Sequence, residues 1–222
     1  VSDCTISDGG HRYRSGIGVL VGKSSANKII HNHIFGFDYT GISVGWTWGY
    51  SESRAYGYIV EYNHVHNIGR GTLSDMGGIY TLGVSTGTRI RFNIFHDIES
   101  RGYGGWGIYT DEGSTDILIE NNLVYRTKCA GFHQHYGCNN ILRNNIFAFA
   151  REAQLHRTRL EPHTSYRFYR NILYFNTDGR MLNGDWSDLH VLLDRNLYFN
   201  ASGKRLDFGG RNFRQWQKRG AD

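Results

Sequence analysis

One asparagine, returning at the end of the same short apolar phrase, constrains this chain more than anything else in it. The phrase appears as Ile29-Ile30-His31-Asn32-His33-Ile34-Phe35 and, far downstream, as Phe168-Tyr169-Arg170-Asn171-Ile172-Leu173-Tyr174. Between and beyond these it recurs around Asn63, Asn93, Asn122, Asn145 and Asn196. Successive asparagines lie 31, 30, 29, 23, 26 and 25 residues apart. Self-similarity at such a period marks a solenoid, whose units cannot bury their apolar faces alone and must stack. Within each copy the apolar residues tend to alternate, the period of a strand and not of a helix. A leucine-rich repeat has similar unit lengths but needs a Leu-x-x-Leu-x-Leu frame, which is absent. The expectation is an all-β parallel β-helix of about seven coils. Equivalent residues then sit about 4.8 Å apart, and the asparagines form a structural ladder bonded to one another and to the backbone.

Composition agrees and narrows the function. With 29 Gly, 15 Tyr, 12 Phe, 5 Trp and 1 Pro, the chain favours strands and tight turns over helices. A net charge of +5 is mild, and the Lys and Arg are dispersed, so no concentrated basic face marks a nucleic-acid partner. No apolar run reaches membrane-spanning length. Cys4, Cys129 and Cys138 are too few for a disulfide framework and lack metal-ligand spacing, so each reads as a buried free thiol. No low-complexity linker divides residues 1–222, which read as a single β-helix domain. The chain opens in mid-phrase and stops without a closing element, so we expect the central or C-terminal part of a longer protein. Exposed end coils would then favour aggregation. The segment 213–218 has a short amphipathic pattern, expected to make one helical turn.

A second repeat carries the chemistry. It reads Ser74-Asp75-Met76-Gly77-Gly78-Ile79-Tyr80-Thr81-Leu82, then Gly105-Trp106-Gly107-Ile108-Tyr109-Thr110-Asp111-Glu112, then Gly131-Phe132-His133-Gln134-His135-Tyr136. If Ile79, Ile108, Phe132 and Leu155 point inward, alternation turns Tyr80, Tyr109, His133 and His156 outward in one column. Leu82, Asp111, His135 and Thr158 form a second. Asp75 enters the first strand one coil from Asp111, and Glu112 follows it, so three acids can face one substrate. Paired carboxylates suit glycosidic cleavage, one protonating the leaving oxygen and one attacking or activating water. Crowding among acids and aromatics would separate their pKa values. The segments Trp46-Thr47-Trp48-Gly49-Tyr50 and 101–106 read as insertions bearing flat rings for sugar faces, with Trp46, Trp48 and Trp106 as stacking residues. His133, His135 and His156 are expected to bond sugar hydroxyls. A metal held by His133, His135 and Asp111 is geometrically possible, but the reading adopted needs no metal and no cofactor. His64 and His66 share the same spacing and read as wall residues beside the ladder. Arg157 and Arg159 can bind an acidic sugar's carboxylate.

These phrases, and the chain from about Gly16 onward, resemble right-handed parallel β-helix proteins of the glycoside hydrolase family 141 type. The resemblance implies a secreted or periplasmic enzyme of plant polysaccharide breakdown, with fucosidase or xylanase activity, and places the catalytic pair on Asp75 and Asp111. The expected function is therefore hydrolysis of plant or microbial polysaccharide at fucoside- or xyloside-type linkages. The expected partner is a poly- or oligosaccharide, with no nucleic acid or membrane, and the chain is expected to act as a monomer. Two other readings stand beside it. A polysaccharide lyase or epimerase on the same scaffold would need a Lys or Arg base, which Arg157 could supply. A non-catalytic carbohydrate-binding solenoid would keep its ligand when the acids are removed.

Overall fold

The computed structural model describes every residue from Val1 to Asp222 and winds them into a parallel solenoid. Three sheets of 8, 7 and 7 strands run its length, so each coil is a three-sided rung. One coil supplies Ile59–Glu61, His64–Ile68 and Gly77–Leu82; the next supplies Arg89–Arg91, Ile94–Ile98 and Trp106–Thr110. Stacking is in register on all three sides, with Val60 over Ile90, Val65 over Phe95 and Ile79 over Ile108. These six side chains are fully buried and belong to one apolar core that threads the coils. Period-two alternation in the sequence thus becomes a column of aliphatic and aromatic side chains inside each wall.

The asparagine ladder is continuous. At Asn93 the backbone N–H and the side-chain amide both donate to Asn122 Oδ1, each at 3.0 Å, and the amide also reaches the Val60 carbonyl at 2.9 Å. The same bonds recur from Asn32 to Asn196. Two further residues occupy the frame. Asp222 Oδ1 accepts from the backbone and amide of Asn196 at 3.0 Å, and the Cys4 backbone N–H donates to Asn32 Oδ1 at 3.2 Å. Each asparagine follows a residue in the left-handed region, including Tyr62 and Phe92 at φ +57°. Bulky residues avoid that region, so the buried hydrogen bonds of the ladder hold the turn against local preference.

Some expectations need correction. All three cysteines are free, but only Cys129 is buried; Cys4 is exposed and Cys138 half-buried. Trp106 is not part of an inserted loop: it opens the strand Trp106–Thr110, paired with Gly77. The amphipathic segment does form a helix, Phe213–Gln217, whose capping box joins Asn212 and Gln215. Its Trp216 is buried against the end of the core. No helix is long and apolar enough to cross a membrane.

Candidate active site

One of the 7-stranded sheets makes the floor of the site. Its order is Val19–Gly22, Ile42–Gly45, Gly77–Leu82, Trp106–Thr110, Phe132–Gln134, Ala153–Arg157 and Arg180–Gly184. Pairing aligns Ser43, Tyr80, Tyr109, His133, His156 and Asn183 in one column, as alternation requires for the four central residues. A glycine precedes the inward apolar residue in five of these coils. At Gly107 a Cβ would lie 2.6 Å from the Gly131 carbonyl oxygen and 2.1 Å from Val124 Cγ1, so only glycine lets the two walls close. Gly18-Val19 and Gly41-Ile42 are therefore earlier copies of the phrase that the sequence reading began at Gly78. The series ends at Gln154, whose side chain takes the glycine position and donates to the Ala150 carbonyl at 2.9 Å.

Over this floor lies a cleft of about 390 Å³, lined by Asp75, Asp111 and Glu112 together with Tyr103, Trp106, Tyr109 and the imidazoles of His133, His135 and His156. All three sequence-predicted acids meet there. Asp111 is buried and accepts a hydrogen bond from the Tyr80 hydroxyl. The Tyr109 hydroxyl donates to Asp75 Oδ1 at 3.1 Å, and its own ionisation is suppressed by burial and by both Asp111 and Asp75. Asp75's carboxyl is pushed above its ordinary value by burial and by the charge of Asp111, against hydrogen bonds that favour its ionised form. Glu112 is the outermost acid: the Tyr136 hydroxyl donates to it at 3.3 Å, and His135 Nε2 is 4.0 Å away.

Neutral imidazoles complete the floor. His133 stacks on Trp106 with ring centroids 4.1 Å apart, and its Nδ1–H donates to the His156 carbonyl at 3.2 Å. Burial drives its pKa far below the usual histidine range. His156 is lowered to about 4, also by burial, and accepts from Trp106 Nε1–H at 3.2 Å. His135 stands apart from them, pairing through Nδ1 with Thr158 Oγ1 at 2.7 Å. Leu82, expected in the outward column with Asp111, is buried and belongs to the apolar cluster that contains Tyr80, Trp106 and Tyr109.

Two loops wall the cleft. On one side, Lys128 Nζ binds the Ser100 and Gly102 carbonyls and fixes the loop that carries Tyr103, which is 61% exposed. On the other, the segment from Trp46 to Tyr50 crosses several coils. Trp46 stacks on Tyr80, Trp48 meets Trp46 edge-on, and Gly49 passes over Gly113. Tyr50 then reaches Glu161 and, at 3.2 Å, His163. Trp46 and Trp48 thus flank the cleft and do not line its floor. Trp48, 57% exposed, presents the free ring.

Arg157 is not in the cleft. It is 2% exposed, in register with inward-facing Gln134, and its guanidinium binds Asp188 at 2.6 and 3.2 Å beneath Trp186. An inner position at a coil's end is what alternation gives it, and Asp188 takes both of its terminal nitrogens. Arg159 lies over the Tyr136 ring at 4.1 Å, beside Glu161. Sequence reasoning held Tyr103 only as part of the ring-bearing segment 101–106, and missed Tyr39, whose hydroxyl holds the Asp75 carbonyl at 2.7 Å. Both come from loops whose paths no repeat period encodes.

Residues 1–147 match the family model described as a right handed beta helix region. No curated protein and no solved structure matches the chain. The match bears on the fold and carries no reaction with it.

Proposed function

From a chain that belongs to the right-handed β-helix family, a fold shared by glycoside hydrolases, lyases and non-enzymes, we propose a glycoside hydrolase acting on plant or microbial polysaccharide. The observation that supports it is the meeting of Asp75, Asp111 and Glu112 over an aromatic and imidazole floor. In this reading Asp75, with its raised pKa, delivers a proton to the glycosidic oxygen as the C1–O bond breaks. Asp111, oriented by the Tyr80 hydroxyl, attacks the anomeric carbon or takes the proton of the attacking water. Trp106 and His133, themselves buried, support the base of the cleft, His156 and Tyr103 offer ring edges and faces to a sugar above it, and Trp48 a stacking face beyond. Fucoside- or xyloside-type linkages and a secreted or periplasmic location follow from the family 141 resemblance. The lyase reading loses its support, because the arginine it called on is buried against Asp188.

The test is release of reducing sugar from aryl-glycosides and cell-wall oligosaccharides, with Asp75→Asn and Asp111→Asn alongside. Turnover lost in both variants, with circular dichroism unchanged, supports the pair. Turnover retained in both moves the chemistry to Glu112. Accumulation of an unsaturated, ultraviolet-absorbing product without hydrolysis would replace this reading by the lyase.

A further inference from the structure

On a different wall of the solenoid from the cleft, four imidazoles gather where the sequence indicated only wall residues. In the 8-stranded sheet His33 pairs with His64, and His66 pairs with His96. Stacking along the coils explains part of this arrangement: His33 and His64 are 5.0 Å apart at 8°, and His66 and His96 are 4.9 Å apart at 2°. Stacking does not explain the approach across the columns. His33 Nε2 lies 2.7 Å from His66 Nε2, and His64 Nε2 lies 2.7 Å from His96 Nε2. Each contact brings two nitrogen lone-pair positions edge to edge, so one ring of each pair must present a bare Nε2. The ligand atoms of His33, His64 and His66 all lie within 4.8 Å of one another, and the three rings are half-buried, within reach of solvent.

The surroundings add an independent sign. Asp97 Oδ2 accepts from His96 Nδ1–H at 2.6 Å, and Arg126 binds both oxygens of Asp97 at 2.6 and 2.5 Å. A carboxylate on one ring nitrogen fixes the tautomer and aims the other nitrogen's lone pair outward, the arrangement found behind metal-bound histidines. Here that lone pair points at His64.

We propose that His33, His64 and His66 form a binding site for a divalent transition metal that favours imidazole, of the zinc, nickel or copper(II) class, with His96 as a fourth, carboxylate-oriented ligand. All-nitrogen donors of this kind suit those ions and not calcium or magnesium. Metal–nitrogen bonds of about 2.0–2.1 Å place neighbouring ligand atoms roughly 3.3 Å apart in a tetrahedron. The paired nitrogens therefore open slightly and the third ring closes in. On binding, a proton held on a bridging Nε2 transfers to Nδ1 of the same neutral ring, so four lone pairs face the ion without loss of charge balance.

The experiment uses the untagged chain. Calorimetric titration with Zn²⁺, and absorption titration with Co²⁺ as a spectroscopic probe, should each give one ion per chain, with visible d–d bands of low-symmetry cobalt. Single changes His33→Gln, His64→Gln and His66→Gln should each weaken Zn²⁺ binding at least tenfold. Asp97→Asn should weaken it about 10–100-fold if it orients His96 as an outer partner, and His11→Gln should leave it unchanged. Should a variant fail to fold, long-range ¹H–¹⁵N spectra of the unaltered protein read the same point directly. Zn²⁺ must move the Nε2 resonances of His33, His64 and His66. Unchanged ring nitrogens on saturation, or stoichiometric binding that survives all three substitutions, would overturn the site and leave the histidines as a stacking ladder.

Discussion

Asp75 occupies the end of a loop in the left-handed region, at φ +56°, with its carboxyl turned toward Asp111 and Tyr109. Because burial and Asp111 raise its pKa, the folded chain holds that proton more tightly than the unfolded chain does. Any stability it contributes is complete below the ordinary value of 3.8 and is lost as pH rises through the raised folded value. Asp75→Asn should therefore unfold at the same or a higher temperature than the parent at pH 7, and the difference should shrink in acid. The same substitution should lower kcat by about 10²–10⁴-fold, the range of a lost general acid. Loss of thermal stability at neutral pH would count against a strained carboxyl, and differential scanning calorimetry across pH reads it. In the parent, kcat/KM should fall on the alkaline side as Asp75 ionises. His156, at about 4, and His133, held far below the usual histidine range by burial, remain neutral there and contribute no limb of their own. The tryptophans divide by exposure. Trp48→Ala should raise KM for longer oligosaccharides and leave the melting temperature in place. Trp106→Ala removes a ring buried between Tyr109 and His133 and should cost about 3–5 kcal/mol in urea unfolding.

At the scale of the element, the ladder shows why much of the fold was readable from the chain. A solenoid asks one side chain to solve the same turn in every coil, so Asn recurs at a fixed place in the phrase. The outward column from Tyr80 to His156 was readable for the same reason, since parallel pairing preserves alternation from coil to coil. What escaped were the members written with other letters. Asp222 and Cys4 continue the frame without asparagine, and Gly18 and Gly41 carry the floor phrase without its aromatic. Interior rungs should matter more than end ones. Asn122→Ala leaves Asn93's backbone N–H without its acceptor, removes one of the bonds of its amide, and frees the Ile90 carbonyl of its side-chain donor, all in a buried turn. At about 1–3 kcal/mol for each unsatisfied group, discounted for relaxation, the cost should be about 3 kcal/mol or more by chemical denaturation. Asn196→Ala, only part-buried and followed by an aspartate, should cost less. Equal costs at both rungs would mean that the ladder does not act as a buried network.

Across the whole molecule, the site depends on contacts that skip coils. The segment carrying Trp46 and Trp48 is tied by Tyr50 to Glu161, 111 residues away, and Arg151 reaches back to Glu99 with two bonds of 2.6 and 2.7 Å. Such contacts depend on loop paths, so the sequence revealed which acids share a face but not which loops enclose them. Arg157 is the clearest case. The ability of a guanidinium to bind a sugar carboxylate suggested a substrate contact, whereas its parity along the strand places it inside. There Asp188 meets it, and burial, which alone would raise Asp188's pKa, is outweighed by Arg157 and the His190 backbone, leaving it below its ordinary value. The stabilisation from Asp188 is thus complete above pH 3.8 and is lost as pH falls through the depressed value. Arg157 is buried and Asp188 half-buried, so Arg157→Met alone strands a partly solvated charge and should destabilise by about 1–3 kcal/mol, and pairing it with Asp188→Leu should recover most of that loss. A substrate-binding arginine would behave otherwise. Its loss would raise KM for uronate-bearing oligosaccharides at unchanged stability, and the second substitution would restore nothing. Urea unfolding of the two variants beside their KM values separates the cases, because only the structural ion pair couples Arg157 to Asp188 in stability.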